Sequence, residues 1–338
     1  MKTNKKILFS VFTEYHFLLA LDIIHDYFLN EEYNVYLLLI ENGNNRLDAV
    51  NFERDVKNIQ FQKLDMREEI RPALDELLSN TFEQLFIFHE YHIVNSYLKH
   101  KINKGCVVSL VEDGTAIYQS INKSAYPSRI QATLKNILIA REKGILHWGI
   151  ELVNNAHGQS KKIHEIWLTH QEMFGHSVKK NIRFAKINLL SSTEKIKFIK
   201  SFFKQPDEKI DAKAMIYIGR VSYGKQYLDE EISFLQSYFA QSGLKKLYIK
   251  PHPLSPQSQI EEYEKRLSVS LIHSRVPAEL LIADLKDCEL LAMDSTSLYF
   301  FNERCNYKVL YPFFQQKLVY PLWRTIPFPG HVKYFSHG

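Results

Sequence analysis

Two α/β domains, each built on a parallel sheet with helices on both faces, are what the sequence predicts. Three observations lead there. Short apolar runs alternate with helix-period stretches as far as Phe203, which is the pattern of strands covered on both faces. The polar Gln205-Pro206-Asp207-Glu208 then breaks the pattern, and a second alternation begins. At 338 residues, 45% hydrophobic and 13% aromatic, the chain is long for one core and natural for two. The expected domains are residues 1–205 and 206–338, two sheets facing one cleft.

In order, residues 5–13 read as a buried strand. Glu14 to Leu29 read as a helix, with Phe17, Leu18, Leu21, Ile24 and Phe28 at helical spacing. Tyr33 to Ile40 is a second strand, closed by the turn-like Glu41-Asn42-Gly43-Asn44-Asn45. After a mixed segment come a helix over Ile70–Leu78, a strand over Gln84–His89, a helix over Tyr91–His100 and a strand over Cys106–Leu110. From Ser120 to Gln159 the chain is basic, with one helical stretch at Ile130–Arg141. Strands are expected at Ile163–Leu168 and Ile187–Leu190. Ser191-Ser192-Thr193-Glu194 supplies a hydroxyl followed by an acid, suited to capping a helix over Lys195–Phe203.

The second half reads as strands at Ala214–Ile218, Leu247–Ile249, Val269–His273, Glu289–Met293 and Lys308–Tyr311. Helices are expected at Asp229–Gln241, Ile260–Leu267 and Pro277–Leu285, with another opening at Leu298–Phe301. The tail from Phe313 mixes Pro, Phe, Tyr and Lys. Large aromatics usually serve cores, so packing back onto the domains is its ordinary use. Its interleaved Lys317, Arg324 and Lys333 also suit a peripheral contact with an anionic membrane.

Bulk properties narrow the classes. Cys106, Cys288 and Cys305 have no motif spacing, which argues against a disulfide framework or zinc site and for a reducing, cytoplasmic setting. The basic Met1–Lys6 is followed by a short apolar run soon interrupted by Glu14, His16 and Asp22, unlike a signal peptide. No run approaches the roughly 20 apolar residues a membrane span needs. The net charge of +5 is modest, and with no zinc finger, RNP-type motif or basic helix, nucleic acid is not expected as a partner.

Three polar clusters each directly follow an apolar run. They are Glu112-Asp113-Gly114 after Cys106–Leu110, Lys250-Pro251-His252-Pro253 after Leu247–Ile249, and Asp294-Ser295-Thr296-Ser297 after Leu290–Met293. In open α/β sheets, ligands bind beyond the carboxyl ends of strands. Glu112 or Asp113 suits a general base, although Asp113-Gly114 taken alone is a common turn. Two prolines around His252 fix the chain in an extended form and hold the imidazole in one place. Ser295, Thr296 and Ser297 offer hydroxyls at a helix start, as an anion site or as a plain N-cap. Gly219 and Arg220, after Ala214–Ile218, suit a further phosphate contact, and Arg220 equally suits the surface.

The order of these motifs resembles that of the bacterial sialyltransferases: Asp/Glu-Asp/Glu-Gly, then His-Pro, then a Ser/Thr pair. Phe12–Ala20 and Val276–Leu281 are similar to the lipooligosaccharide sialyltransferase branch, glycosyltransferase family 52. The resemblance implies a GT-B arrangement and inverting transfer of sialic acid from CMP-sialic acid to a glycan hydroxyl. It implies that His252 assists the departing CMP phosphate and that Ser295, Thr296 and Ser297 include donor-phosphate ligands, beside Gly219, Arg220, Lys250 and Pro253. It makes Glu112 or Asp113 the base, with the Asp229-Glu230 pair as a further candidate. It implies no metal and no cofactor beyond the CMP-sugar donor. The acceptor would be a glycan of lipooligosaccharide or capsule, lipid-linked acceptors included. The chain would then work in the cytoplasm, with room for a peripheral inner-membrane contact and for an oligomer. The nearest rival readings are transfer of another CMP-activated acidic sugar such as Kdo, and a non-catalytic glycan-binding subunit.

Overall fold

The computed structural model describes residues 4–41, 47–52, 56–118, 126–154, 157–175, 178, 181–204, 209–222, 224–311, 314 and 327–335. It divides into two compact units, Met1–Phe202 and Phe203–Gly338. The segment 205–208, where the sequence reading puts the domain boundary, lies outside the described residues.

The first unit carries β1 (Lys5–Val11), α1 (Glu14–Tyr27), β2 (Tyr33–Glu41), β3 (Ile59–Asp65), α2 (Arg71–Leu78), β4 (Gln84–Ile87), α3 (Ile93–Lys101), β5 (Val107–Val111), α4 (Tyr126–Glu142), β6 (Glu165–Leu168), β7 (Arg183–Lys186) and α5 (Thr193–Lys200). Its seven strands pair in the order β3-β2-β1-β4-β5-β6-β7. Every pairing is parallel. The central strands are mainly apolar because both faces are covered: Ile7, Leu8, Phe9 and Val11 of β1 are all buried. Phe9 stacks on Phe86 of β4 at 4.3 Å. The strand order reverses between β1 and β4, and such a reversal opens a crevice beyond the carboxyl ends of the two strands.

The second unit repeats the plan with β8 (Met215–Ile218), α6 (Lys225–Ser242), β9 (Leu247–Lys250), α7 (Gln257–Arg266), β10 (Ser270–Leu271), α8 (Ala278–Ile282), β11 (Cys288–Ala292), β12 (Cys305–Val309) and β13 (Val332–Tyr334). Its order is β10-β9-β8-β11-β12-β13, again parallel throughout, with the reversal between β8 and β11.

Several expectations move. The strand expected at Ile187–Leu190 is instead β7, one step earlier. β7 is a mostly exposed edge strand held by its backbone to β6, and therefore lacks an apolar signature. Ile187 and Leu190 are buried anchors of the loop that follows, with Leu190 at φ 50 and its N–H donated to Asp22 Oδ1 at 2.7 Å. β3 falls in the segment read as mixed. The third helix starts at Ile93 rather than Tyr91, because His92 Nδ1 accepts from the Val94 N–H and caps it. The helix expected from Leu298 is a single 3-10 turn over Thr296–Tyr299. Of the tail, Phe313, Lys317, Tyr320, Trp323 and Arg324 lie outside the described residues. Phe314 is buried and packs edge-on against Phe234 at 5.5 Å.

The end of the first unit is fixed by one buried cation. Ser192 caps α5 by accepting from the Lys195 N–H at 3.2 Å, as the Ser-x-x sequence suggests. Lys195, only 1% exposed, sends its ammonium to Asp22 at 2.9 Å, Asp26 at 2.7 Å and the Asn188 carbonyl at 2.8 Å. Both aspartates lie on α1, so the contact clamps α5 to α1. Removing one partner of such a pair leaves an uncompensated buried charge, typically costing about 3–5 kcal/mol. Lys195→Met is expected to destabilise the protein by about that amount in urea unfolding. A loss below about 1 kcal/mol would show that the clamp does not hold α5.

Candidate active site

In the first unit, polar residues gather where β1, β4 and β5 end. Thr13 follows β1 and caps α1 by accepting from the His16 N–H at 3.2 Å. That cap sets Tyr15 and His16 in the first helical turn. His89 lies two residues beyond β4, and Asp113 two beyond β5. The Asp113 carboxylate is held on both oxygens: His16 Nε2 is 2.7 Å from Oδ1, and His89 Nδ1 is 2.7 Å from Oδ2. His16 is buried and stacks on Phe88 at 4.4 Å, whereas His89 is half-buried. The Phe12 ring meets His16, His89 and His92 edge-on. Gly114 takes φ 62, a left-handed conformation that a side chain disfavours, and turns the chain directly after the acid pair.

The two acids have divided environments. Glu112 is fully buried; its carboxylate accepts from Tyr15 Oη at 2.8 Å, the Thr169 N–H at 2.8 Å, Thr169 Oγ1 at 2.9 Å and Tyr118 Oη. Burial pushes its carboxyl up against the opposing pull of these donors. Burial would raise Asp113 too, but the imidazoles of His16 and His89 outweigh it and hold this carboxyl well below the usual range. Glu112 is thus surrounded by donors inside the fold, and Asp113 stands between two imidazoles beyond β5.

The sequence reading expected no metal-ligand cluster. Among the described residues, His16, His89 and Asp113 do offer three ligand atoms within 4.8 Å of one another. Their nitrogen–oxygen separations of 2.7 Å are those of direct hydrogen bonds.

In the second unit the corresponding ends are those of β8, β9 and β11. The Gly219 N–H donates to the Lys250 carbonyl at 2.9 Å. A Cβ at Gly219 would sit 3.3 Å from that carbonyl oxygen and 3.5 Å from Pro251 Cα, so glycine lets the two strand ends close up. Arg220 reaches across the strand-order reversal to Asp294 at 2.8 Å. Lys250 is buried and donates to the Ser274 carbonyl at 2.5 Å, which turns its amine inward to the fold. His252 and Pro253 are exposed. His252 Nδ1 accepts the Leu254 N–H at 3.1 Å, so its neutral ring carries the proton on Nε2. Ser295 Oγ accepts from the Ser297 N–H at 3.3 Å and shares a 2.7 Å hydrogen bond with the Ser297 hydroxyl. Ser297 is buried, while Ser295 and Thr296 are half-buried. Asp229 pairs with Arg266 and, at 3.1 Å, with Lys225; Glu230 follows it on α6.

Behind Arg220 lies a buried relay absent from the sequence reading. Gln259 donates to the Arg220 carbonyl at 2.6 Å and to Tyr263 Oη at 2.9 Å, and accepts from the Ser222 N–H at 3.0 Å. Tyr263 donates to the fully buried Glu231. Gln259 and Tyr263 share one face of α7 at i,i+4 spacing, which was the signal available.

Residues 8–311 match the family model described as Alpha-2,8-polysialyltransferase (POLYST). The chain belongs to that family. It has a GT-B fold and is a glycosyltransferase, in line with the likeness to bacterial sialyltransferases. Among solved structures it is similar to a sialyltransferase from Photobacterium damsela, with 12% identity and a TM-score of 0.50, covering 91% of this chain and 75% of that one. It is also similar to Arabidopsis thaliana UGT89C1 complexed with UDP-L-rhamnose, with 10% identity and a TM-score of 0.51, covering 89% and 77%. No curated protein matches it. Within this polysialyltransferase-family chain, His16 and His89 are the site residues that motif reading missed.

The relay makes stability depend on pH. Burial lifts the Glu231 carboxyl from 4.5 to about 7, against the hydrogen bond from Tyr263. A raised pKa means that the folded chain keeps a proton the unfolded chain releases. The stabilisation is complete below about pH 4.5 and is lost as pH rises through about 7. Glu231→Gln is expected to remove this component, so the stability difference between wild type and variant should shift steadily in the variant's favour from about pH 4.5 to about pH 7. Parallel urea-midpoint curves for the two proteins would show that Glu231 is not protonated by the fold.

Proposed function

We propose that this chain transfers sialic acid from CMP-sialic acid to a glycan hydroxyl with inversion at the anomeric carbon, without a metal. The second unit would hold the donor and the first the acceptor. The observation that carries the reading is His252, with its proton fixed on Nε2 at the end of β9, in a chain of the polysialyltransferase family. CMP leaves as a phosphate monoester, and charge builds on the departing oxygen. A positioned N–H donor stabilises that charge where it develops. With Nδ1 occupied by the Leu254 N–H, His252 acts as a hydrogen-bond donor to the phosphate more readily than as a full acid.

Arg220, Ser295 and Thr296 are the further donor-phosphate contacts. Gly219 and Pro253 shape the backbone beside them, and Lys250 and Ser297 support the two strand ends from within. In the first unit, the Asp113–imidazole cluster takes the acceptor proton as the acceptor oxygen bonds to the anomeric carbon. Asp229 is tied up by Arg266 and Lys225, which speaks against it as the base. The family's name supports O8 of a terminal sialic acid as the acceptor hydroxyl, and the acceptor of this reading is a lipooligosaccharide or capsular glycan.

Turnover of CMP-sialic acid with a sialylated acceptor, and little turnover of CMP-Kdo, is the expected result. In the same assay His252→Ala should lower kcat by roughly tenfold or more, and excess EDTA should leave the wild-type rate unchanged. Normal turnover by a folded His252→Ala variant would remove this residue from the mechanism. Loss in EDTA reversed by magnesium or manganese would assign a metal to the reaction.

A further inference from the structure

We propose that His89 is the group that accepts the proton of the acceptor hydroxyl, with Asp113 acting through it as a positioning residue. This rests on the sialyl-transfer reading above. Asp113 Oδ1 faces His16 and Oδ2 faces His89, each at 2.7 Å, so both oxygens already have an imidazole partner. Its proton affinity is low because both neighbours favour the ionised form. A carboxylate so held is a poor base but a good anchor.

His89 has the complementary properties. His89 Nδ1 lies 2.7 Å from the carboxylate, which favours the proton on Nδ1 and leaves the Nε2 lone pair as the acceptor. Among the described residues Nε2 makes no hydrogen bond, and the ring is half-exposed while His16 and Glu112 are buried. The other ring beside it, His92, is a poor proton acceptor: its Nδ1 takes the Val94 N–H, and burial pushes it down to about 3. Phe12 wedges against His89 and His92 and fixes their planes. In the reaction, the acceptor O–H proton passes to His89 Nε2 as the oxygen bonds to the anomeric carbon. The electron pair of the breaking bond leaves with CMP. The imidazolium is stabilised by Asp113 and then releases its proton to water.

The test uses the full chain with CMP-sialic acid and a sialylated acceptor. His89→Ala should lower kcat by about 10²–10⁴-fold while CMP binding, measured by calorimetry, is unchanged. Added imidazole should restore part of the rate. His89→Gln, which keeps an amide donor for Asp113, should remain folded and be equally slow. Asp113→Asn added to His89→Ala should cost little more, because the pair acts as a unit. A His89→Ala enzyme near the wild-type rate, with Asp113→Asn inactive, would make Asp113 the base and overturn the proposal. So would a defect confined to acceptor KM without imidazole rescue. If the wild-type protein turns over no CMP-sialic acid, the functional reading itself fails and this assignment falls with it.

On the outside of the first unit, α4 and the loop after it leave large apolar side chains uncovered. The loop runs back along the helix: the Ile145 N–H reaches the Ala140 carbonyl at 2.9 Å, and the Val153 N–H reaches Thr133 Oγ1 at 2.9 Å. Ile130, Leu134 and Leu138 at i,i+4 spacing, with Leu146, Trp148 and Leu152, are all exposed; Leu138 is 67% and Trp148 91% accessible. Cations rim the surface. Lys135 and Arg141 are exposed on α4, and the His100 ring that meets Trp148 at 4.9 Å lies in the field of Lys101 and Lys162. An apolar stripe with an aromatic tip and a basic rim complements an anionic bilayer surface, where each cation adds about 1 kcal/mol. Among the described residues no helix is long and apolar enough to cross a membrane.

We infer that this face docks on anionic lipid. Wild-type protein should sediment with phosphatidylglycerol-containing vesicles at low salt and stay soluble with phosphatidylcholine alone. Trp148 emission should shift to the blue on binding. The Leu134→Glu/Leu138→Glu variant should lose at least tenfold in vesicle affinity with donor turnover retained. Failure of the wild type to bind would overturn the inference. So would a dimer in sedimentation velocity that the same double variant splits, since the face would then bind a second copy.

Discussion

The Glu112 carboxylate carries the architecture of the first unit. It sits at the end of β5 with no solvent contact, and it is reached by Tyr15 from α1, Tyr118 from the 3-10 turn after the acid pair, and Thr169 from beyond β6. Three separate pieces of chain are thereby held to one strand end. A buried carboxylate is tolerable only when its lone pairs are satisfied, and leaving a donor unmatched costs about 1–3 kcal/mol. Each of those pieces is therefore fixed to the site by the need to satisfy one group. With Glu112 immobile and Gly114 turning the chain away at φ 62, Asp113 has little freedom left. Its two imidazole partners meet it in one place.

The same topological device is used twice for opposite chemistry. Both sheets reverse strand order once, between β1 and β4 and between β8 and β11. At the first reversal the chain supplies a carboxylate and imidazoles. At the second it supplies a guanidinium, hydroxyls and one exposed imidazole, with Gly219 allowing β8 and β9 to approach. A carboxylate with imidazoles and a guanidinium with hydroxyls thus stand at the ends of different sheets. Parallel strands with both faces covered leave only their ends for polar chemistry, so such a division is set by which residues follow which strand.

Much of this was legible in the sequence, for physical reasons that also mark where legibility stops. Buried central strands such as β1, β4, β5 and β8 are mainly apolar runs and announce themselves. The edge strands β3 and β7 each have one pairing neighbour and alternate weakly, so their backbone bonds, which no side chain reports, decide them. The clusters at Asp113, His252 and Ser295 were visible because prolines, glycine and hydroxyls punctuate strand ends. His16 was not, because it meets Asp113 across 97 residues of chain, and one histidine among 14 carries no spacing signal. The Lys195 clamp was invisible for the same reason: its carboxylates lie on α1, at the far end of the unit in sequence.

The two imidazoles identified at the strand ends differ in a way that sequence could not express. In both, Nδ1 faces a polar group of the protein. What differs is the sign of the Nδ1 contact. At His252 a backbone N–H points at Nδ1, which must therefore be the lone-pair nitrogen, and the proton resides on Nε2. At His89 a carboxylate oxygen faces Nδ1, which must therefore carry the proton, and Nε2 is the lone pair. One ring thus carries its proton on Nε2 and the other on Nδ1. Such a pair would serve the proposed sialyl transfer, with a donor where negative charge accumulates and an acceptor where a hydroxyl is deprotonated. The local backbone turn after Pro251 and the Glu112-anchored Asp113 are what fix the two tautomers.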